Sequence, residues 1–169
     1  VRHPETYTFY QTYKNKGLRN VKFYAGFPQH SFEKIVSMIE LGLGSNQPID
    51  FHGQKIVPVQ FLTEVLKKLE IPEGYKEEEN LWVNVHGKKN GTERELLMEC
   101  IVPTIKGWES SGCNIDTGMP ASIMAEMIYN GTIGEGGSFA PEQVVPPAPF
   151  FDKLAERKMV VLENGKRIN

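Results

Sequence analysis

Two short groups of residues have the types and spacing for chemistry. The first is the opening His3-Pro4-Glu5-Thr6, which sets an imidazole, a carboxylate and a hydroxyl within four positions. The second is Asp116-Thr117-Gly118-Met119-Pro120, where a helix predicted over 114–131 begins. Asp116, Thr117 and Gly118 are its N-cap candidates, and Pro120 suits a first turn, where a missing N–H costs nothing. Unpaired N–H groups and the positive dipole end at such a start can receive a carboxylate, a phosphate or a cofactor edge. An ordinary buried, well-capped helix would carry the same letters.

Other arrangements are weaker. His3, His30, His52 and His86 are scattered, with no i, i+4 pair, so a helical zinc site has no support. Ser110-Ser111-Gly112 lacks the glycine spacing of a nucleophile elbow. Gly134, Gly136 and Gly137 lack the order and strand context of a dinucleotide fingerprint. Cys113 sits just upstream of the helix start, which would lower a thiol pKa, against the simpler expectation of an inert buried thiol.

The elements that must position these groups follow from periodicity. Met119, Ile123, Met124, Met127 and Ile128 form one apolar face of the long helix, which Gly131 ends. Thr6 to Tyr13 leans to a short helix, and Asn20 to Ala25 alternates like a half-buried strand. Ser31 to Leu41 is a predicted helix burying Phe32, Ile35, Val36 and Ile39, with Ser31 as N-cap and Gly42 as stop. Ser45 to Lys55 reads as a polar loop. Pro58 to Leu69 is a second amphipathic helix, packing Phe61, Leu62, Val65, Leu66 and Leu69. Pro72 to Asn80 reads as a solvated charged connector.

The next segment can be checked against itself. Asn90-Gly91 is a type I′ hairpin signal between two alternating runs. Folding there with Lys89 opposite Thr92 places Val85 on Leu96, Val83 on Met98 and Leu81 on Cys100, and sets Lys88 against Glu93 and His86 against Glu95. After the long helix, Pro141 to Pro149 is too proline-rich for a helix. A last helix over 149–157 buries Phe150, Phe151 and Leu154, and a strand over 159–162 ends at Asn164-Gly165. The sum is an α+β fold, a mixed, mostly antiparallel sheet covered by helices.

With 169 residues the prior is a single domain, 1–169. Lys and Arg number 19 against 21 Asp and Glu, which leaves no excess of positive charge for nucleic acid. Two cysteines are too few for a disulfide framework, so a reducing, cytoplasmic setting is expected. No run approaches the roughly 18 apolar residues of a membrane helix. Val1 in place of Met, followed directly by Arg2-His3-Pro4-Glu5, suggests a piece of a longer chain.

Several motifs in order resemble one family. His3-Pro4-Glu5-Thr6, Phe23-Tyr24-Ala25-Gly26-Phe27, Leu41-Gly42-Leu43, Thr117-Gly118-Met119-Pro120-Ala121, Pro141-Glu142 and Phe150-Phe151-Asp152-Lys153-Leu154-Ala155-Glu156-Arg157 are similar to the saccharopine dehydrogenase and lysine 6-dehydrogenase group, in the C-terminal part that follows its Rossmann domain. The resemblance covers nearly the whole chain. It implies the second, substrate-binding and dimerisation domain of a two-domain NAD(P)-dependent oxidoreductase that acts on a C–N bond of a lysine-derived amino acid. It also implies that NAD or NADP is held mainly by a Rossmann domain absent from these residues, that this chain alone is inactive, and that it forms a homodimer. Carried over by motif, His3, Glu5 and Thr6 line the substrate side, with Glu5 holding an ammonium group, and Thr117, Gly118 and Pro120 face the cofactor. No catalytic acid or base is implied.

Two other readings remain open on the sequence. One is a non-catalytic oligomerisation or binding module of the same fold. The other is a sibling enzyme of the carboxynorspermidine synthase type, with the same hydride chemistry and a different substrate.

Overall fold

The computed structural model describes residues 3–134 and 136–169, leaving Val1, Arg2 and Glu135 outside the described residues. The chain divides into two compact units, Val1–Pro72 and Glu73–Asn169. Together they hold helices and two antiparallel sheets, the α+β class expected.

In the first unit, α1 (Pro4–Tyr13) starts at a proline in N1, which needs no hydrogen-bond acceptor. A 3-10 turn (Lys14–Lys16) ends at Gly17, in the left-handed region at φ 91°. Asn20 to Ala25 is not a strand. Val21 and Phe23 are more covered than Lys22 and Tyr24, so the alternation is real, but among the described residues no strand pairs with this segment in a sheet. Helix α2 (Gln29–Glu40) starts two residues earlier than predicted, with Pro28 at the cap and Ser31 inside the first turn. It ends as predicted at Gly42. The Gly42 N–H donates to Ile39 O (2.9 Å) and the Leu43 N–H to Met38 O (3.0 Å), the paired bonds of a Schellman stop.

The predicted polar loop contains a small hairpin, β1 (Ile49–Phe51) and β2 (Gln54–Ile56). His52 and Gly53 turn between them, both at positive φ, and the Gly53 N–H donates to Asp50 Oδ1 (3.1 Å). Helix α3 (Pro58–Leu66) follows, shorter than predicted by one turn. The apolar stripes of α2 and α3 are largely uncovered: Phe32, Ile35, Ile39, Phe61, Val65 and Leu66 are all exposed.

The second unit contains the hydrophobic core. Strands β3 (Glu79–Lys89) and β4 (Thr92–Val102) pair in the predicted register from Lys89↔Thr92 to Glu79↔Val102, with Val85↔Leu96, Val83↔Met98 and Leu81↔Cys100 as expected. Lys88 meets Glu93 (3.3 Å) and His86 approaches Glu95 (3.6 Å). Strand β5 (Val160–Glu163) adds to β4, and a short β6 (Lys166–Arg167), not foreseen, returns over the Asn164-Gly165 turn to give the order β3-β4-β5-β6.

Helix α4 (Gly112–Tyr129) and helix α6 (Pro147–Glu156) cover one face of this sheet. Ile115, Ile123 and Met127 of α4 pack with Val102, Leu154, Met159 and Val161. Ile128, predicted to be inside, is exposed, because the buried stripe runs through 112, 115, 123 and 127, with Met119 partly buried beside it. Arg157 and Lys153 reach Glu126 at 2.5 and 3.9 Å and tie the two helices at their rim. The proline-rich stretch is more helical than predicted. Pro141 opens a single turn, α5 (Pro141–Val144), and Pro147 opens α6, each at a position where no N–H is needed.

Candidate functional site

The three polar residues of the opening segment come together at the start of α1. His3 is the residue before the first helical turn, and its Nδ1 contacts Glu5 Oε2. Its ring lies flat on Phe23, with centroids 4.0 Å apart and 8° between planes, so the aromatic wall fixes the imidazole that Glu5 orients. The Thr6 hydroxyl donates to the His3 carbonyl (2.7 Å), as does the Thr6 N–H (3.0 Å). Glu5 keeps a second carboxylate oxygen, and the His3 and Glu5 side chains are about half exposed. The cluster can therefore offer an anionic, hydrogen-bonding edge to a cationic or donor-rich ligand.

The second group lies elsewhere than the sequence indicated. Helix α4 begins at Gly112, with Ser111 at the cap, not at Asp116 to Gly118. Thr117 and Gly118 are inside the second turn, and Pro120 is inside the helix and not in its first turn. Their amides are thus not the free amides of a helix start. The Thr117 hydroxyl donates within the helix, to Cys113 O (3.0 Å) and beside Asp116 Oδ1 (2.9 Å). What remains available is a flank. Gly118 is exposed, a Cβ there would meet nothing within 4 Å, and Pro120 has no N–H for the Asp116 carbonyl four residues back.

The true start of α4 is filled by the chain itself. The Gly112 N–H donates to Glu77 Oε2 at 2.7 Å, which places a carboxylate on the positive end of the helix. Glu77 also accepts from the Tyr75 hydroxyl (3.0 Å), its N–H donates to Glu109 O (2.7 Å), and its carbonyl accepts from Thr104 Oγ1 (2.7 Å). Gly112 must be glycine, since a Cβ would lie 2.9 Å from Glu77 Cβ and 3.1 Å from Glu79 Cγ. No local pattern marks this partnership, because Glu77 sits in an acidic run that reads as solvated and its partner is far along the chain.

The surrounding charge is negative. Burial, then Asp116 and Glu77, push the Glu79 carboxyl above its ordinary value. Asp116, with a smaller effect of burial, raises the Cys113 thiol, so the activation expected from the helix start is absent; Cys113 is exposed, not buried. Cys100 is raised mainly by burial. The hydrogen bond from the Tyr75 hydroxyl to Glu77 raises the Tyr75 phenol, and the Gly107 N–H lowers Glu109. Among the described residues no cluster of three His, Cys, Asp or Glu side chains can hold a metal, and no helix is long and apolar enough to cross a membrane.

Residues 1–160 match the family model described as the saccharopine dehydrogenase C-terminal domain. The chain belongs to that family. A curated relative, a carboxyaminopropylagmatine dehydrogenase from Synechocystis sp., is 25% identical over 147 residues, covering 82% of this chain and 36% of the relative. The chain thus spans about a third of the length of that relative. Family membership places the domain among oxidoreductases, and a nicotinamide cofactor is the general partner of such enzymes.

The residues present do not fit the phosphates of a dinucleotide. The one long helix start in the second unit is occupied by Glu77, and its neighbours Glu79 and Asp116 add like charge where an anion would lie. Two shallow grooves, one along Lys55, Ile56 and Phe61 and one along His30, Lys34 and Met38, include none of the six residues nominated from the sequence.

Proposed function

We propose that this chain is the substrate-side, C-terminal domain of an NAD(P)-dependent oxidoreductase acting on the C–N bond of a lysine-derived amino acid, as in saccharopine or lysine dehydrogenation. Membership of the family over residues 1–160 supports the reaction class. The grouping of Glu5 with His3 and Thr6 on an aromatic wall supports a binding role for the opening segment. In this reading the Glu5 carboxylate holds an ammonium group of the substrate, and His3 fixes its direction. Thr117, Gly118 and Pro120 form a flank without bulky side chains, against which a flat ring can lie. Holding the cofactor phosphates falls to a Rossmann domain outside this chain, so the chain alone is inactive. A cytoplasmic enzyme and two-fold self-association complete the proposal.

The test uses the full-length enzyme. A hydrogen-bonded charge is worth roughly 1.5–3 kcal/mol, so Glu5→Gln should raise KM for the amino-acid substrate by about tenfold or more. Thr117→Val should leave that KM unchanged and alter KM for the cofactor. Unchanged kinetic constants in both variants would remove these residues from the site.

A second reading is favoured by the name of the Synechocystis relative. Here the substrate is a carboxyalkylated polyamine, with the same C–N chemistry. Absorbance of reduced cofactor, measured with lysine, saccharopine and carboxyaminopropylagmatine in turn, separates the two.

A further inference from the structure

Asn-Gly occurs three times, at Asn90-Gly91, Asn130-Gly131 and Asn164-Gly165. This pair carries a chemistry of its own. The backbone nitrogen of the residue after an asparagine can attack the side-chain Cγ, and a glycine, with no Cβ, leaves that approach open. The structure gives the three sites different freedom to react.

Asn130 is held on both sides of the reaction. Its Oδ1 accepts from the Thr132 N–H (3.0 Å) and the Thr132 hydroxyl (2.6 Å). The nitrogen that would attack, that of Gly131, donates its hydrogen to Ile128 O (3.1 Å) at the stop of α4. Asn164 is held through its side chain. Its Oδ1 accepts from the Leu97 N–H (2.9 Å) while its own N–H donates to the Leu97 carbonyl (2.8 Å), so the amide is built into the junction of β4 and β5.

Asn90-Gly91 repeats the backbone of the Asn164-Gly165 turn. Each pair is the two-residue loop between paired residues, Lys89↔Thr92 in one and Glu163↔Lys166 in the other. The φ angles agree, at 54° and 78° against 49° and 77°. Only the hold on the side chain differs. Among the described residues nothing hydrogen-bonds the Asn90 side chain or the Gly91 N–H, and both residues are exposed at the tip of the β3–β4 hairpin.

We propose that Asn90 is the site of spontaneous deamidation in this chain, passing through a succinimide to isoaspartate and aspartate. The Gly91 nitrogen gives up its proton and bonds to Asn90 Cγ; the Cγ–Nδ2 bond breaks and ammonia leaves with that proton. Water then opens the imide, at Cγ to give isoaspartate's counterpart, aspartate, when the ring nitrogen leaves Cγ, or at the main-chain carbonyl carbon to give isoaspartate. Water is the only co-reactant. Isoaspartate adds a methylene to the main chain, so the two-residue loop whose twist suits the strands is lost, and a new carboxylate appears beside Lys88 and Lys89. The change stays at the tip, because Val102, the fully buried residue of β4, lies at the opposite end of the hairpin.

The folded chain, kept at mildly alkaline pH and physiological temperature, tests this by peptide mass spectrometry of each asparagine. Isoaspartate is counted by methyl transfer from an isoaspartyl carboxyl methyltransferase. A hydrogen bond that must open first slows the reaction by up to roughly tenfold, so Asn90 should convert several-fold faster than Asn164, with Asn130 slowest. In urea this order should disappear. Asn90→Gly, which suits the positive φ, should remove most of the methyl transfer and leave far-ultraviolet circular dichroism unchanged.

An Asn164 or Asn130 that reacts as fast as Asn90 in the folded chain overturns the assignment, as does an Asn90→Gly variant that keeps the wild-type methyl transfer. An Asn90 that stays intact when folded and reacts in urea overturns it too. The same order of rates in urea would trace the difference to neighbouring residues in the sequence and overturn the structural argument.

Discussion

Replacing Glu77 by alanine tests the claim that the chain caps its own long helix from a distant segment. The variant loses the 2.7 Å bond from the Gly112 N–H and the contact with the Tyr75 hydroxyl, and it leaves the start of α4 without an anion. A lost helix cap costs about 1 kcal/mol, within a range of roughly 0.5–2, and the lost charge at the dipole adds about 0.3–1. Part of this is offset, because removing Glu77 relieves the like charge acting on Glu79. The net expectation is about 1 kcal/mol. For a unit of this size that corresponds to a fall in Tm of roughly 4–8 °C. Glu77→Gln keeps an acceptor for Gly112 without the charge, so its loss should be less than half as large. Thermal and urea unfolding followed by circular dichroism measure both variants. If Glu77→Ala unfolds within about 0.3 kcal/mol of the wild type, the carboxylate is not holding the helix and the capping argument is wrong.

Three further outcomes are expected. Asp116 holds the Cys113 thiol above its ordinary pKa, so Asp116→Asn should speed alkylation of Cys113 by iodoacetamide at neutral pH several-fold, and an unchanged rate would contradict the assignment. The Glu79 carboxyl is raised in the folded chain, so its contribution to stability is present below the unfolded pKa and is lost as pH rises through the folded value. Glu79→Gln should therefore raise the unfolding midpoint at pH 7 and not at pH 3, and equal gains at both would contradict the assignment. Asn169 donates to Phe151 O and Met159 O and accepts from the Val161 N–H, so Asn169→Ala should cost about 1–3 kcal/mol in chemical unfolding.

The parts that were legible in the letters are those where local signals agree. Asn90-Gly91 fixes the turn, and alternation on both sides then leaves one register, which the structure reproduces pair by pair. The ends of α2 and α6 were off by two residues or fewer because cap residues compete over a few positions. The start of α4 was misread for a physical reason. Asp116, Thr117 and Pro120 have the local preferences of a helix start, but Ile115 is drawn into the core and extends the helix back to Gly112, where a carboxylate from another segment satisfies the end. No local pattern encodes that partner. Asn20 to Ala25 has the alternation of a strand, but among the described residues no strand of either sheet lies beside it, and alternation alone does not make a ladder. His3, Glu5 and Thr6 are nominated in the letters by residue type and motif alone; that they meet comes from the proline-led helix start, which turns the chain so that Glu5 and Thr6 reach back to His3.

The Glu77 junction has a mechanical consequence. One residue anchors the onset of the first sheet strand, the loop at Thr104 and Glu109, and the first amide of the helix on which Gly118 lies. Sliding of α4 along the sheet would draw the Gly112 amide off the Glu77 carboxylate, which the Thr104 and Glu109 bonds hold to the loop. The junction thus ties the helix onset, the loop before it and the approach to β3 through one residue.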